Sequence, residues 1–193
     1  MAHHILLHRR AQALYHIKAS SRLIELVLEH GAEILRSPRM QSERNYMQHG
    51  ITSCYTHSIC VAYMALRVAE ILRVKINVRS MVRGSLLHDY FLYDWHDKNA
   101  ACRFHTFRHP MVALRNALAE FDLDPVEQDI IRKHMFPLCF PPPRYKESFI
   151  ITIADKCCAA SEIWHLYSLE NVIVGLERRI AELARTCLPE PEH

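Results

Sequence analysis

Residues 52–72 read TSCYTHSICVAYMALRVAEIL, and the apolar positions Ile59, Tyr63, Leu66 and Ile71 recur at the spacing of one helix face. The other side carries Cys, Ala and Ser, so the stretch predicts a long helix packed deeply among neighbours. The same period appears on either side of it. Residues 21–35 (SRLIELVLEHGAEIL) put Leu23, Val27, His30 and Ile34 on one face, with Ser21 as the expected N-cap, one tolerated glycine and Pro38 beyond the end. Residues 80–89 (SMVRGSLLHD) predict a shorter apolar helix. The following YFLYDWHDKN is aromatic and charged with no period, as expected of a rim or lid.

Further along, residues 109–121 (HPMVALRNALAEF) predict a helix that begins near His109 and holds Pro110 in its first turn. Asp124-Pro125-Val126-Glu127 has the form of a capping box and opens a helix running to about His134. MFPLCFPPPRYKES, with its four prolines, predicts a structured loop. Residues 147–166 combine a strand-like FIITIA with an Ala-rich continuation that favours helix. Leu169, Ile173, Leu176, Ile180 and Leu183 form a C-terminal apolar seam, which either closes the domain's own core or mediates a homodimer.

Composition agrees with an all-α, single-domain helical bundle. The chain has 193 residues, half of them hydrophobic and 23% charged, enough to bury one substantial core. Only 4 glycines occur, about 2% of the chain, against a usual share of roughly 7%, which disfavours turn-rich sandwiches, barrels and dinucleotide-binding sheets. A net charge of +3 points to neither a nucleic-acid duplex nor a membrane surface. No segment approaches the roughly 18 apolar residues of a membrane span, nor is there a signal-peptide core at the N-terminus. The 7 cysteines form no CxxC pair and are odd in number, so reduced thiols and a cytoplasmic setting are expected.

Histidine is the outlying residue, at 14 of 193. It titrates near neutrality and is the commonest metal ligand. His88 and Asp89 sit side by side at the end of an apolar helix, where an ionised carboxylate requires a cation. His57 on the long helix, His109, His134 and Asp155 are spread along the chain so that separate helices could each direct one ligand inward. Imidazole nitrogens with carboxylate oxygens suit divalent transition metals: Mn, Fe, Ni, Co or Zn.

The ordered set His57, His88-Asp89, His109, His134 and Asp155 on a helical chain resembles the HD-domain superfamily of metal-dependent phosphohydrolases. Residues 56–62 (THSICVA) look like the family's first-histidine helix, Arg83 to Asp89 like its R-x-x-x-L-H-D helix, and Ile153-Ala154-Asp155-Lys156 like its closing aspartate. The resemblance covers about residues 49–165. It implies an N-terminal helical extension over 1–48, a hydrolase core over 49–165 and a C-terminal helix over 166–193, all in one globular domain. It also implies that His57, His88, Asp89 and Asp155 hold a first metal, that His109 and His134 add a second, and that Asp89 bridges them. A water acidified by two cations would then become the hydroxide that attacks a phosphoester.

For the reaction, Asp89, Lys156 and Arg83 are the expected catalytic groups, and Arg108 and His105 the expected substrate contacts, since guanidinium groups suit phosphate. His49 and His96 are expected at the entrance, with Asp94, Trp95 and Asp97 as a polar aromatic rim. The implied substrate is a small phosphorylated metabolite, nucleotides included. The HD-GYP branch carries Lys in HD-x-G-K, and Leu92 stands at that place here. Two other readings share the scaffold: a di-iron oxygenase of the HD fold, such as myo-inositol oxygenase, and a non-catalytic nucleotide-binding module.

Overall fold

The first helix, α1 (Ser21–Arg36), buries Leu23, Ile24, Val27, Leu28, Gly31, Ile34 and Leu35 in one stripe. This is a computed structural model, and it describes residues 20–49, 52–96, 105–164, 174–179 and 182. Ser20 rather than Ser21 stands at the cap of α1, and its backbone N–H donates to the Tyr63 hydroxyl at 2.9 Å. Gly31 is more than tolerated: a Cβ there would lie 2.5 Å from Leu86 Cδ1, so its absence lets two helices approach. Pro38 does not merely follow α1. It opens a short helix, α2 (Pro38–Ser42), capped by the Ser37 hydroxyl, which accepts from Met40 N–H.

A 3₁₀ turn (Glu43–Asn45) leads to β1 (Met47–His49), paired antiparallel with β2 (Thr52–Ser53). This small hairpin delivers the chain to the central helix of an otherwise helical fold. Ser53 caps that helix, α3 (Cys54–Ile71), by accepting from Thr56 N–H. Tyr55, His57, Ile59, Val61, Ala62, Tyr63 and Ala65 are all fully buried. Burial on every side follows from its composition, because a helix apolar all round has no face for water.

Helix α4 (Val78–Leu87) is capped by Asn77 and packs across α1 and α3. Helix α5 (His105–Leu118) already includes His105, so Pro110 lies in its interior and not in the first turn. The proline removes the N–H that would bond the Thr106 carbonyl, and Cys139 Sγ approaches that oxygen at 3.8 Å instead. Helix α6 (Pro125–Lys133) has the reciprocal cap: Asp124 accepts from Val126 and Glu127 N–H while Glu127 accepts from Asp124 N–H. Helix α7 (Lys146–Trp164) takes in FIITIA as helix.

The core lies where α3, α4, α6 and α7 meet, around Tyr63, Met81, Leu86, Leu87, Ile130 and Ile151. Each such side chain contributes about 1.5–3 kcal/mol on burial. Gly84 fixes the spacing of α4 and α6, since a Cβ there would meet Ile130 at 2.7 Å. Of the C-terminal seam, Leu176 is described; it is buried in a helical stretch, 174–179, that touches α1 through Gly175 and Ile24. Leu169, Ile173, Ile180 and Leu183 lie outside the described residues. Among the described residues no helix is long and apolar enough to cross a membrane.

Candidate metal centre

Five helices deliver six buried ligand-type side chains to one point. His57 comes from the first turns of α3, His88 and Asp89 follow the end of α4, His109 lies in α5, His134 caps α6 and Asp155 lies mid-α7. All six are 7% exposed or less. The structure therefore brings together the whole set His57, His88, Asp89, His109, His134 and Asp155.

Each imidazole is held by its Nδ1. His88 donates to Ser85 O at 2.7 Å, His109 to His105 O at 3.0 Å and His134 to Ile131 O at 2.9 Å. His57 donates instead to the carboxylate of Glu162 on α7, at 3.0 Å from both oxygens. With Nδ1 assigned as the donor from these acceptors, all four Nε2 atoms face inward. There Asp89 divides its two oxygens. Oδ2 lies 3.3 Å from His88 Nε2 and 3.9 Å from His57 Nε2, whereas Oδ1 lies 3.1 Å from His109 Nε2 and 3.4 Å from His134 Nε2. Asp155 Oδ1 approaches the first pair, 3.1 Å from His57 and 3.7 Å from His88.

These donors fit metal ions better than they fit one another. His88 Nε2 and Asp89 Oδ1 are buried and reach no hydrogen-bond partner of acceptable geometry, a condition that is costly for polar atoms unless something coordinates them. Two ligand groups are formed, His57/His88/Asp89 and Asp89/His109/His134, and they share Asp89. The electrostatics of the protein alone tell the same story. Burial opposes charge on His57, yet the Glu162 and Asp155 carboxylates outweigh it and raise the imidazole to about 9. Burial likewise opposes charge on Asp89 and Asp155, but the surrounding histidines hold both carboxyls well below the usual range. The cluster thus keeps its carboxylates ionised and draws positive charge to its centre.

Around the ligands sit groups that sequence reasoning did not single out. Glu162 follows Asp155 by seven residues, two turns on the same face of α7, and that spacing was its signal. Gln48, on β1, donates its amide to Asp89 Oδ2, and Cys54 Sγ lies 3.5 Å from Gln48 Oε1. Glu43 accepts from Leu92 N–H, and burial raises its carboxyl to about 8. Neither Gln48 nor Glu43 carries a periodic signature, because both stand in short irregular elements.

The other expected groups are distributed unevenly. Arg83 is a correction: its guanidinium is buried away from the ligand atoms against Glu127 (2.8 Å), Glu33 (3.1 Å) and Asp122 O (3.1 Å). All three of its nitrogens are engaged by these acceptors, so it braces helices and is not offered to a substrate. Lys156 Nζ donates to His134 O at 3.0 Å and Thr152 O at 3.4 Å. His105 stacks on His109 with ring centroids 4.6 Å apart, bonds the Tyr93 hydroxyl at 2.9 Å and stacks on Trp95. Burial, reinforced by His109, lowers its imidazole to about 4, so it stands as a neutral wall. Arg108 is exposed and lines a cavity with Arg115, to one side of the ligand cluster. His96 and Asp94 pair with each other at 3.2 Å on the exposed loop. Asp97 and the His49 side chain lie outside the described residues.

No curated protein and no solved structure matched the chain. A family model did, the HD domain, over residues 54–160, more than half of the sequence. That span starts at the first residue of α3 and ends near the last turn of α7, enclosing every candidate ligand from His57 to Asp155. With a predominantly helical fold and a buried His/Asp cluster at its centre, the chain belongs to the HD-domain family, a superfamily of the metal-dependent hydrolase type.

Proposed function

We propose that this protein is a two-metal phosphohydrolase acting on a small phosphorylated metabolite, nucleotides included. The observation that carries the reading is the division of Asp89, one oxygen toward His57 and His88 and the other toward His109 and His134. One carboxylate between two imidazole pairs is a donor set for two cations, as suits Mn, Fe, Ni, Co or Zn. Bound there, such ions supply an acidified water and take charge off a phosphoryl oxygen.

The chain's own residues set up that chemistry. Glu162 and the carbonyls of Ser85, His105 and Ile131 lock the four imidazoles with Nε2 inward. Gln48 orients Asp89. Lys156 braces the end of α6 from which His134 projects, and acts as a positioning residue. His105, with Trp95 and Tyr93, closes the side beside His109 with an uncharged aromatic wall.

Elemental analysis of protein purified without chelator, beside a phosphatase and phosphodiesterase screen on nucleotides and sugar phosphates, tests this. Two equivalents of metal with phosphate release, both lost in Asp89→Asn while helicity is kept, are expected. Two irons with no phosphate release would replace hydrolysis by oxygenase chemistry, and metal content unchanged in Asp89→Asn would overturn the ligand assignment.

A further inference from the structure

A cavity of about 340 Å³ opens between α2 and the outer side of α5. None of the six ligand residues lines it. Its rim carries three guanidinium groups, Arg39 from α2 and Arg108 and Arg115 from α5. The two on α5 are seven residues apart, two turns along one face, with Val112 between them. Arg39 has a partial partner in Glu120 at 3.5 Å. Among the described residues Arg108 and Arg115 have no acidic partner. Three like charges around one concavity repel unless an anion joins them.

Leu92 and Val112, both half-buried, give the cavity an apolar wall. Phe91 is buried behind that wall and meets His105 and His109 edge-to-face, at centroid distances of 4.8 and 5.9 Å. Asn116 donates to both Tyr90 O and Phe91 O, pinning that segment to α5. Leu92 beside it adopts φ 61°, a left-handed conformation that is strained for leucine, and Glu43 holds its N–H. An apolar Leu92/Val112 wall beside a guanidinium rim suits a molecule with a flat apolar part and a phosphate. The volume stands near the low end of ligand sites, which run roughly 300–1,000 Å³.

From this we infer a second ligand site, lined by none of the six metal-centre residues, that binds a small phosphate-bearing molecule of the nucleoside monophosphate class. Arg108 and Arg115 grip the phosphate and Leu92 and Val112 receive the planar part. The inference does not depend on the hydrolytic reading, because its site needs no metal.

Equilibrium dialysis of the full chain against AMP, after removal of metal by chelator, is the test. AMP binds the metal-free protein; Arg108→Gln/Arg115→Gln weakens binding by about tenfold or more; Val112→Trp blocks it with both charges intact; Asp89→Asn leaves it unchanged. Both α5 arginines are solvent-exposed, so their replacement keeps the helical circular dichroism signal. Binding that requires metal, or that disappears in Asp89→Asn, would make the cavity part of the metal centre and overturn a separate site. No AMP binding, adenosine binding as tightly as AMP, or binding indifferent to the arginine pair would each overturn it as well.

Discussion

His109 Nε2 and His134 Nε2 stand 2.8 Å apart, while each ring already donates from Nδ1 to a carbonyl of its own helix. Two lone pairs then confront each other beside Asp89 Oδ1, and a shared cation is the arrangement that makes the contact favourable. Metal removal should therefore loosen the α5–α6 contact more than the α3–α7 contact, because His57 retains Glu162 as a partner.

Replacing His134 with Ala removes one candidate ligand from the Asp89/His109/His134 group and none from the other. Metal content should fall from two ions per chain to one, measured by elemental analysis of the purified variant. Retention of both ions would show that His134 is not a ligand.

Glu162 acts through His57, whose Nδ1 it holds at 3.0 Å. Glu162→Gln should weaken metal affinity by about 10–100-fold. In metal-free protein the His57 imidazole should titrate below the value of about 9 that Glu162 and Asp155 sustain against burial, as read by NMR. A residue that only filled space would not move that titration.

Arg83 is a structural tie. Arg83→Ala leaves the buried Glu127 carboxylate with Arg79, which is half exposed, as its remaining cation. The loss should be about 3 kcal/mol in urea unfolding, with Arg83→Lys recovering little because an ammonium does not reproduce the fork. Phosphate release per folded molecule should stay near wild type.

Burial raises the Glu43 carboxyl from its ordinary 4.5 to about 8, so the folded state favours the neutral form. The folded protein then binds more protons than the unfolded chain over that range. Stability from this group is full below pH 4.5 and is lost as pH rises through about 8. Glu43→Gln keeps the acceptor for Leu92 N–H without the titration, so its thermal midpoint should fall less across that window than the wild type's does.

Much of this molecule is legible in one dimension. The apolar period over residues 52–72 marks α3, the Asp124–Glu127 pair marks the start of α6, and the six ligands stand in an order that a helical chain can gather. These are local properties: helix periodicity and capping depend on residues a turn apart, and a ligand type is written in its side chain. Other features were not legible. Pro110 resembles a helix start but lies inside α5, because contacts around His105 extend the helix upstream. Arg83 resembles a phosphate ligand, yet Glu127, Glu33 and Asp122 from distant positions claim its donors. Gln48 reaches Asp89 across 41 residues from a strand too short to leave a pattern.

Side-chain chemistry and helix period thus specified the helical class and which groups are able to bind a metal. Tertiary packing alone decided which oxygen of Asp89 meets which imidazole pair, and that Arg108 faces a cavity while Arg83 is buried in an ion-pair network. The reason is geometric: a helix face is set by neighbours within a turn or two, whereas the direction in which a charged side chain is satisfied depends on partners that only the folded chain brings within reach.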